Sequence, residues 1–316
     1  MADLDASLQP AAVSPRTAPL SPQAILWRRF RRHRLAVGAG WLLLALAAAA
    51  ASAPLVERLL GIDANAVALT LRYAPPSAAH PLGTDELGRD LLVRLLYGGQ
   101  ISLSVGMVTA VLAAFIGTVV GLVAGYFGGR LDQLLMRVTD GIIALPLLPL
   151  LIVVAAIDLK KIGVPPSIAE SEIASLYRIV VLIALFGWTT VARLVRGATL
   201  SVREREYVLA ARGMGAGPLR IMALHVLPNV ISPVIVATTL AVGQVILLES
   251  VLSFLGLGVQ PPIPSWGNML TGAQDVVWSA PALAIWPGLA IFLTVIAFNL
   301  LGDGLQDAID PRAGQH

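Results

Sequence analysis

Cysteine is absent from the chain, and lysine occurs only as Lys160 and Lys161. The first absence excludes disulfides, thiolate nucleophiles and cysteine-held metals. The second excludes a P-loop ATPase, because a phosphate-cradling loop needs Gly-Lys-Ser/Thr and Lys161 is followed by Ile162. The four histidines (His33, His80, His225 and His316) are scattered, with no helical pairing for a metal. No serine sits in a nucleophile-elbow context. Charge is scarce as well. Only 13% of the residues are charged, against about 25% in a soluble domain. The net charge of +3 gives little to neutralise a phosphate backbone, so no nucleic-acid partner is expected. The residues point to no catalytic site, no bound metal and no cofactor held by this chain.

What is present is apolar: 57% of the residues are hydrophobic, gathered into segments long enough to cross a bilayer, which takes about 20 residues. The composition predicts an all-α integral membrane protein with six transmembrane helices. Residues 1–34 read as a tail whose end carries Arg28, Arg29, Arg31, Arg32 and Arg34, and residues 35–54 as the first span. A cleaved signal peptide competes there because of Ala51-Ser52-Ala53, but the long tail ahead of it favours an uncleaved span. Residues 55–100 form an external segment, with a helix expected from Thr84 as N-cap. On that helix Leu87, Leu91, Leu92 and Leu95 would share an apolar face suited to the bilayer surface. Residues 101–304 hold the five remaining spans: 101–127, 131–157, 178–198, 230–248 (ended by Glu249) and 282–301. Residues 305–316 are a C-terminal tail.

Within the 101–127 span, Ala113, Gly117, Gly121 and Gly125 recur every four residues. On a helix they make a smooth groove that lets another backbone approach, which is how membrane helices pack without a hydrophobic driving force. Two acids, Asp140 and Glu249, are candidate intramembrane polar groups. For Asp140 the favoured reading is a structural ion pair with Arg137 or with an arginine from another helix. A carrier driven by an ion gradient would need such groups in pairs, and these two, both near span ends, are the only candidates.

Residues 201–228, SVREREYVLAARGMGAGPLRIMALHVLP, interrupt the apolar pattern. Arg203, Glu204, Arg205, Glu206 and Arg212 would each cost about 2.5–3.5 kcal/mol at mid-membrane. Yet Tyr207, Leu209, Ala210, Ala211 and Met214 are too apolar and helix-prone for a solvated linker. A short helix lying along the membrane surface, with a face for a partner, satisfies both facts. With the N-terminus inside, 15 of the 22 lysines and arginines fall on the inner side and 7 on the outer. The positive-inside rule therefore places both termini and the 201–228 segment in the cytoplasm.

The order Leu209-Ala210-Ala211, three residues, Gly215, nine residues, His225, one residue, Leu227-Pro228 resembles the EAA loop of permease subunits of ABC importers. Leu209 stands where that family has glutamate and His225 where its general pattern has isoleucine. Residues 80–100 (HPLGTDELGRDLLVRLLYGGQ), 254–270 (FLGLGVQPPIPSWGNML) and the terminal NLLGDGLQDAIDPR look like the dipeptide/oligopeptide/nickel permease family, specifically its C-type subunit. The resemblance implies a type I importer fold in a bacterial inner membrane. Its partners would be a second, B-type permease subunit as heterodimer, two cytoplasmic ATPases that bind ATP and Mg, and an external substrate-binding protein. It implies substrates such as dipeptides or oligopeptides, with nickel or another small solute as the alternative. The ATPase-coupling interface would comprise Glu206, Tyr207, Leu209, Ala210, Ala211, Gly213, Gly215, Leu227 and Pro228. Tyr207–Arg212 would form one helical stroke, the glycines a turn, and Pro218 the start of a second helix. Glu206 is positioned to substitute for the glutamate missing at Leu209.

Overall fold

The computed structural model describes residues 22–169, 171 and 173–309. The expected tail at residues 1–21, the C-terminal residues from 310 onward, and Glu170 and Glu172 lie outside the described residues. The chain is built from helices. In order they are α1 (Pro22–Arg32), α2 (Arg34–Ala51), α3 (Ala53–Leu60), α4 (Leu91–Phe127), α5 (Gly129–Ala144), α6 (Leu147–Ala155) and α7 (Pro166–Ala169). There follow α8 (Ala174–Gly187), α9 (Thr189–Val202), α10 (Glu206–Gly213), α11 (Pro218–Ile221), α12 (Leu227–Phe254) and α13 (Ala282–Ile309). Among the described residues the one β feature is an isolated bridge between Thr84 and Asp90. Among the described residues five helical runs are long and apolar enough to cross a membrane: Arg34–Ala51, Leu91–Phe127, Ala174–Val202, Pro218–Phe254 and Ala282–Ile309. The α5–α6 pair makes a sixth if counted as one span, although it bends by 85°.

That bend departs from the single helix expected over 131–157. Pro146 has no N–H to donate and its ring disfavours a helical residue before it. Leu145 is accordingly extended, at φ −77° and ψ 139°. The first part, α5, is laced to α9 by two ion pairs. Asp132 takes both arms of Arg196, at 2.5 and 2.6 Å, and Asp140 accepts from Arg193 at 2.6 Å.

The central helix is α4, against which α2, α8, α9 and α12 pack, while α13 packs on α12 and α2. Its closest neighbour is set by the glycine stripe. A Cβ on Gly117 would sit 2.5 Å from the Trp188 carbonyl oxygen, one on Gly121 2.6 Å from that of Ala192, and one on Gly125 2.6 Å from Thr199 Cβ. Three hydrogen atoms in place of side chains thus let the α4 and α9 backbones touch. Ala113 continues the seam in a buried cluster with Ala184, Trp188 and Ala192.

Residues 80–90 do not form the expected surface helix. Gly83 and Gly88 have positive φ, at 86° and 75°, which ends helical continuation. The Asp85 carboxylate accepts from the backbone N–H groups of Leu87 and Arg89, both at 2.9 Å, and so holds the chain in a turn. Thr84 is not an N-cap; its hydroxyl donates to the Leu71 carbonyl and accepts from Ala74 N–H at 2.9 Å. The cap is Asp90, which accepts from Val93 N–H at 2.8 Å. From there the helix runs unbroken into the expected second span, and Leu91 is buried under Ala273 and Leu283 rather than lying on lipid.

Candidate functional site

The 201–228 segment folds as a compact hook between α9 and α12. Arg203, just past the end of α9, donates to the carbonyl oxygen of Gly125 at 2.8 Å. That carbonyl lies in the last turn of α4, where helix geometry leaves acceptors without partners. The α10 helix then presents two different sides. Val208 and Ala211 are buried, and Val208 joins Ile221, Met222, Val226, Val230, Val195, Leu122 and Tyr126 in one apolar cluster. The hook is therefore part of the core formed by α4, α9 and α12. On the other side Glu206, Tyr207, Leu209, Ala210, Gly213 and Met214 are exposed, Met214 at 82%. Arg212 lies 5.4 Å from the centre of the Tyr126 ring, a cation–π contact that adds a further tie to α4.

The glycine that ends α10 has a physical reason. Gly215 is left-handed, at φ +85°. Its N–H bonds the Arg212 carbonyl at 3.0 Å, and that of Ala216 bonds the Ala211 carbonyl at 3.1 Å. This pair of bonds is a Schellman C-cap, which turns the chain through a residue with no Cβ. Among the described residues nothing lies within 4 Å of a Cβ placed on Gly213, Gly215 or Gly217, so the turn is open for close approach by another molecule. Pro218 opens α11, as expected of a proline at a first helical position. The following segment, Met222–Val226, widens into a π-helix, with Leu227 N–H bonded to the Met222 carbonyl. The extra residue in that turn accommodates Pro228, which has no N–H for a regular helical bond. Leu227 packs on the apolar cluster, Pro228 is exposed, and His225 lies beside Tyr207 with ring centres 6.4 Å apart. Glu206 and Leu209 fall one helical turn apart, both exposed.

The two acidic candidates differ. Asp140 is exposed and paired with Arg193. Glu249 is fully buried, and α12 continues past it to Phe254 instead of ending there. The helix can pass a carboxylate because hydroxyls satisfy it: Ser253 donates at 2.7 Å and Ser102 at 3.2 Å. Both serines also accept from the loop over α12, Ser253 from Val259 N–H at 3.0 Å and Ser102 from Trp266 N–H at 3.1 Å. Glu249 is thus the centre of a polar knot that fastens α4, α12 and the 254–270 loop together.

Sequence reasoning did not find this knot, nor the Arg203 tether. The i, i+4 spacing of Glu249 and Ser253 was the available signal for the first. No local signal announces the second, because its acceptor is a backbone carbonyl far away in sequence.

Residues 117–315 match the family described as the binding-protein-dependent transport system inner membrane component. Residues 21–76 match the N-terminal transmembrane domain of oligopeptide transport permease C. The chain is 43% identical to the glutathione transport system permease protein GsiD of Pectobacterium atrosepticum, over 92% of each chain. It is 39% identical to the dipeptide transport system permease protein DppC of Bacillus subtilis, over 90% of this chain and 84% of the relative. The same protein of Alkalihalophilus pseudofirmus is 37% identical over 93% and 91%. With its bundle of membrane-crossing helices and the hook between α9 and α12, the chain belongs to the inner-membrane permease family of binding-protein-dependent transport systems.

Proposed function

We propose that this chain is a permease subunit of an ATP-driven importer for peptides. It forms half of the translocation pathway with a second permease subunit and takes its energy from ATPase subunits on the cytoplasmic side. It binds no ATP or Mg itself, and an external binding protein delivers the substrate. The names of its relatives, which carry dipeptides and glutathione, support a short peptide as cargo. The excess of arginine in residues 22–34 and 193–220 supports a cytoplasmic place for the N-terminus and the hook.

The observation that carries the coupling role is the two-sidedness of α10. Its buried side is continuous with the core of α4, α9 and α12, and its exposed side offers small and apolar residues around an open glycine turn. An ATPase groove closing on that knob moves the spans with it, because the knob has no freedom of its own. This is the two-state transmission that alternating access requires.

The test is Ala210→Glu, made in the full complex assembled with candidate ATPase and binding-protein subunits. A carboxylate on the exposed side of α10 leaves the buried cluster intact, so the expected result is a folded permease that loses its ATPases and its substrate-stimulated ATP hydrolysis. Unchanged assembly and hydrolysis would refute coupling through α10. Transport by the chain alone, reconstituted without ATPases, would refute the importer reading itself. Mass spectrometry of the ligand retained by the binding protein identifies the cargo.

A further inference from the structure

An apolar groove opens between α1, α2, α4 and α13, with a volume of about 700 Å³, within the ~300–1,000 Å³ of ligand sites. Trp27, Trp41, Leu44, Met107 and Phe298 line it, and among the described residues a single charged side chain, Arg31, stands in its wall. Along α2 the lining runs from Val37 to Ala47, about 15 Å at the helical rise of about 1.5 Å per residue. That is the depth of one leaflet, half of a hydrocarbon core about 30 Å thick.

The groove contrasts with the α4 glycine stripe. There each glycine is filled by a neighbouring backbone, whereas a Cβ on Gly40 would find only Leu301 Cδ1, at 3.9 Å. Among the described residues nothing fills this space. On α1 and at the start of α2 the chain's own charges are all basic: Arg28, Arg31, Arg32 and Arg34 are exposed. Among the described residues no carboxylate pairs with any of these four. The nearby acid, Asp307, lies 3.5 Å from His33. No aspartate or glutamate occurs between Asp5 and Glu57.

We propose that this groove is a binding site for an anionic phospholipid, with one acyl chain between Trp27, Trp41 and Phe298 and the phosphate among Arg28, Arg31, Arg32 and Arg34. The apolar length suits a chain in one leaflet, and the arginines sit where that leaflet's headgroups lie. A row of basic residues next to a span attracts acidic lipid on the cytoplasmic side. Guanidinium groups match a phosphate with two parallel hydrogen bonds. Such a lipid covers α1 and α2, the latter the least buried of the membrane-crossing runs, and ties them further to the α13 side of the bundle.

The groove carries its own reporters, Trp27 and Trp41. The full complex is placed in nanodiscs of phosphatidylcholine, and acyl-brominated phosphatidylglycerol, cardiolipin or phosphatidylcholine is titrated in while tryptophan fluorescence is read. Half-maximal quenching by one or both anionic lipids is expected at roughly a tenfold lower mole fraction than by phosphatidylcholine. Comparing the two anionic lipids tells whether the site takes one phosphate or two. The double variant W27F/W41F should lose the saturable component, which assigns it to the groove. The triple variant R28Q/R31Q/R32Q should lose the preference while keeping its quenching. Equal quenching by all three lipids would overturn the proposal, leaving general contact with the bilayer. Absence of saturable quenching would overturn it too, by showing the groove closed by a neighbouring subunit. Because the reading is of wild-type protein, a variant that fails to fold does not decide the matter.

Discussion

The Arg203 guanidinium donates to the Gly125 carbonyl oxygen across 2.8 Å, joining the start of the hook to the last turn of α4. Two residues far apart in sequence thus share one bond, at the point where α9 gives way to the proposed coupling surface. Its removal separates stability from coupling. Arg203→Ala loses a charge-assisted hydrogen bond that is partly exposed, worth about 1 kcal/mol after allowance for solvent. Thermal unfolding should fall by only a few degrees, while ATP hydrolysis becomes less dependent on the binding protein. An ATPase rate that stays fully substrate-dependent would show that the tether is not in the coupling path.

The glycine stripe predicts a sharp difference between two substitutions of the same kind. Gly121→Ala forces a methyl to within 2.6 Å of the Ala192 carbonyl oxygen. Overpacking of this type costs about 1–3 kcal/mol, and Gly121→Val should not yield a stable protein. Gly197→Ala, on the exposed side of α9 with nothing within 4 Å, should be neutral or stabilising by up to about 1 kcal/mol. Detergent-resistant melting of the two variants side by side checks the point.

Gly215 answers to conformation rather than space. Gly215→Ala must hold a left-handed backbone at a cost of about 1–2 kcal/mol. Gly215→Asn should cost less, because asparagine tolerates that region. Transport should rank wild type, Asn, then Ala, with Gly213→Ala close to wild type because its φ is not positive. An alanine variant as active as wild type would mean that the turn can be rebuilt.

Glu206 is proposed to supply the anionic contact that Leu209 does not. Glu206→Ala should weaken ATPase association, and Leu209→Glu should restore it in that background. If assembly and transport-coupled hydrolysis are untouched by Glu206→Ala, the compensation does not exist.

The Glu249 knot predicts graded damage. Glu249→Ala strands the hydroxyls of Ser102 and Ser253 in a dry interior, a loss of about 3 kcal/mol. Glu249→Gln keeps one acceptor oxygen and should fall between. Limited proteolysis within residues 255–281 is the sensitive readout, since both serines hold that loop from below.

Much of this fold was legible because hydrocarbon imposes a simple rule on composition. The apolar segments, the close approach at Gly117, Gly121 and Gly125, and the polar break at Arg203–Arg212 each follow from what lipid tolerates. Boundaries were legible only where local chemistry set them. Pro218 marked a helix start, but the apolar composition of 131–157 reads as one continuous span, and Pro146 turns the chain there by 85°. Thr84 looked like an N-cap, yet two left-handed glycines and the Asp85 turn moved the start of the helix to Asp90. What could not be read were bonds spanning distance. Glu249 with Ser102, and Arg203 with Gly125, depend on the packing of helices far apart in sequence.

The consequence of one feature reaches further than its own packing. Leu91–Phe127 is a single helix of 37 residues with no proline inside it, about 55 Å long at about 1.5 Å per residue. Its first turn is capped by Asp90 next to the Asp85–Arg89 turn, and its last turn holds the hook through Gly125. A bilayer core of about 30 Å covers little more than half of that length. Without a hinge the helix swings as one rod, and a tilt of about 5° moves one tip by about 5 Å relative to the other, close to a full helical pitch. Such a small rotation, generated at either end, is therefore felt as a large displacement on the opposite face of the membrane.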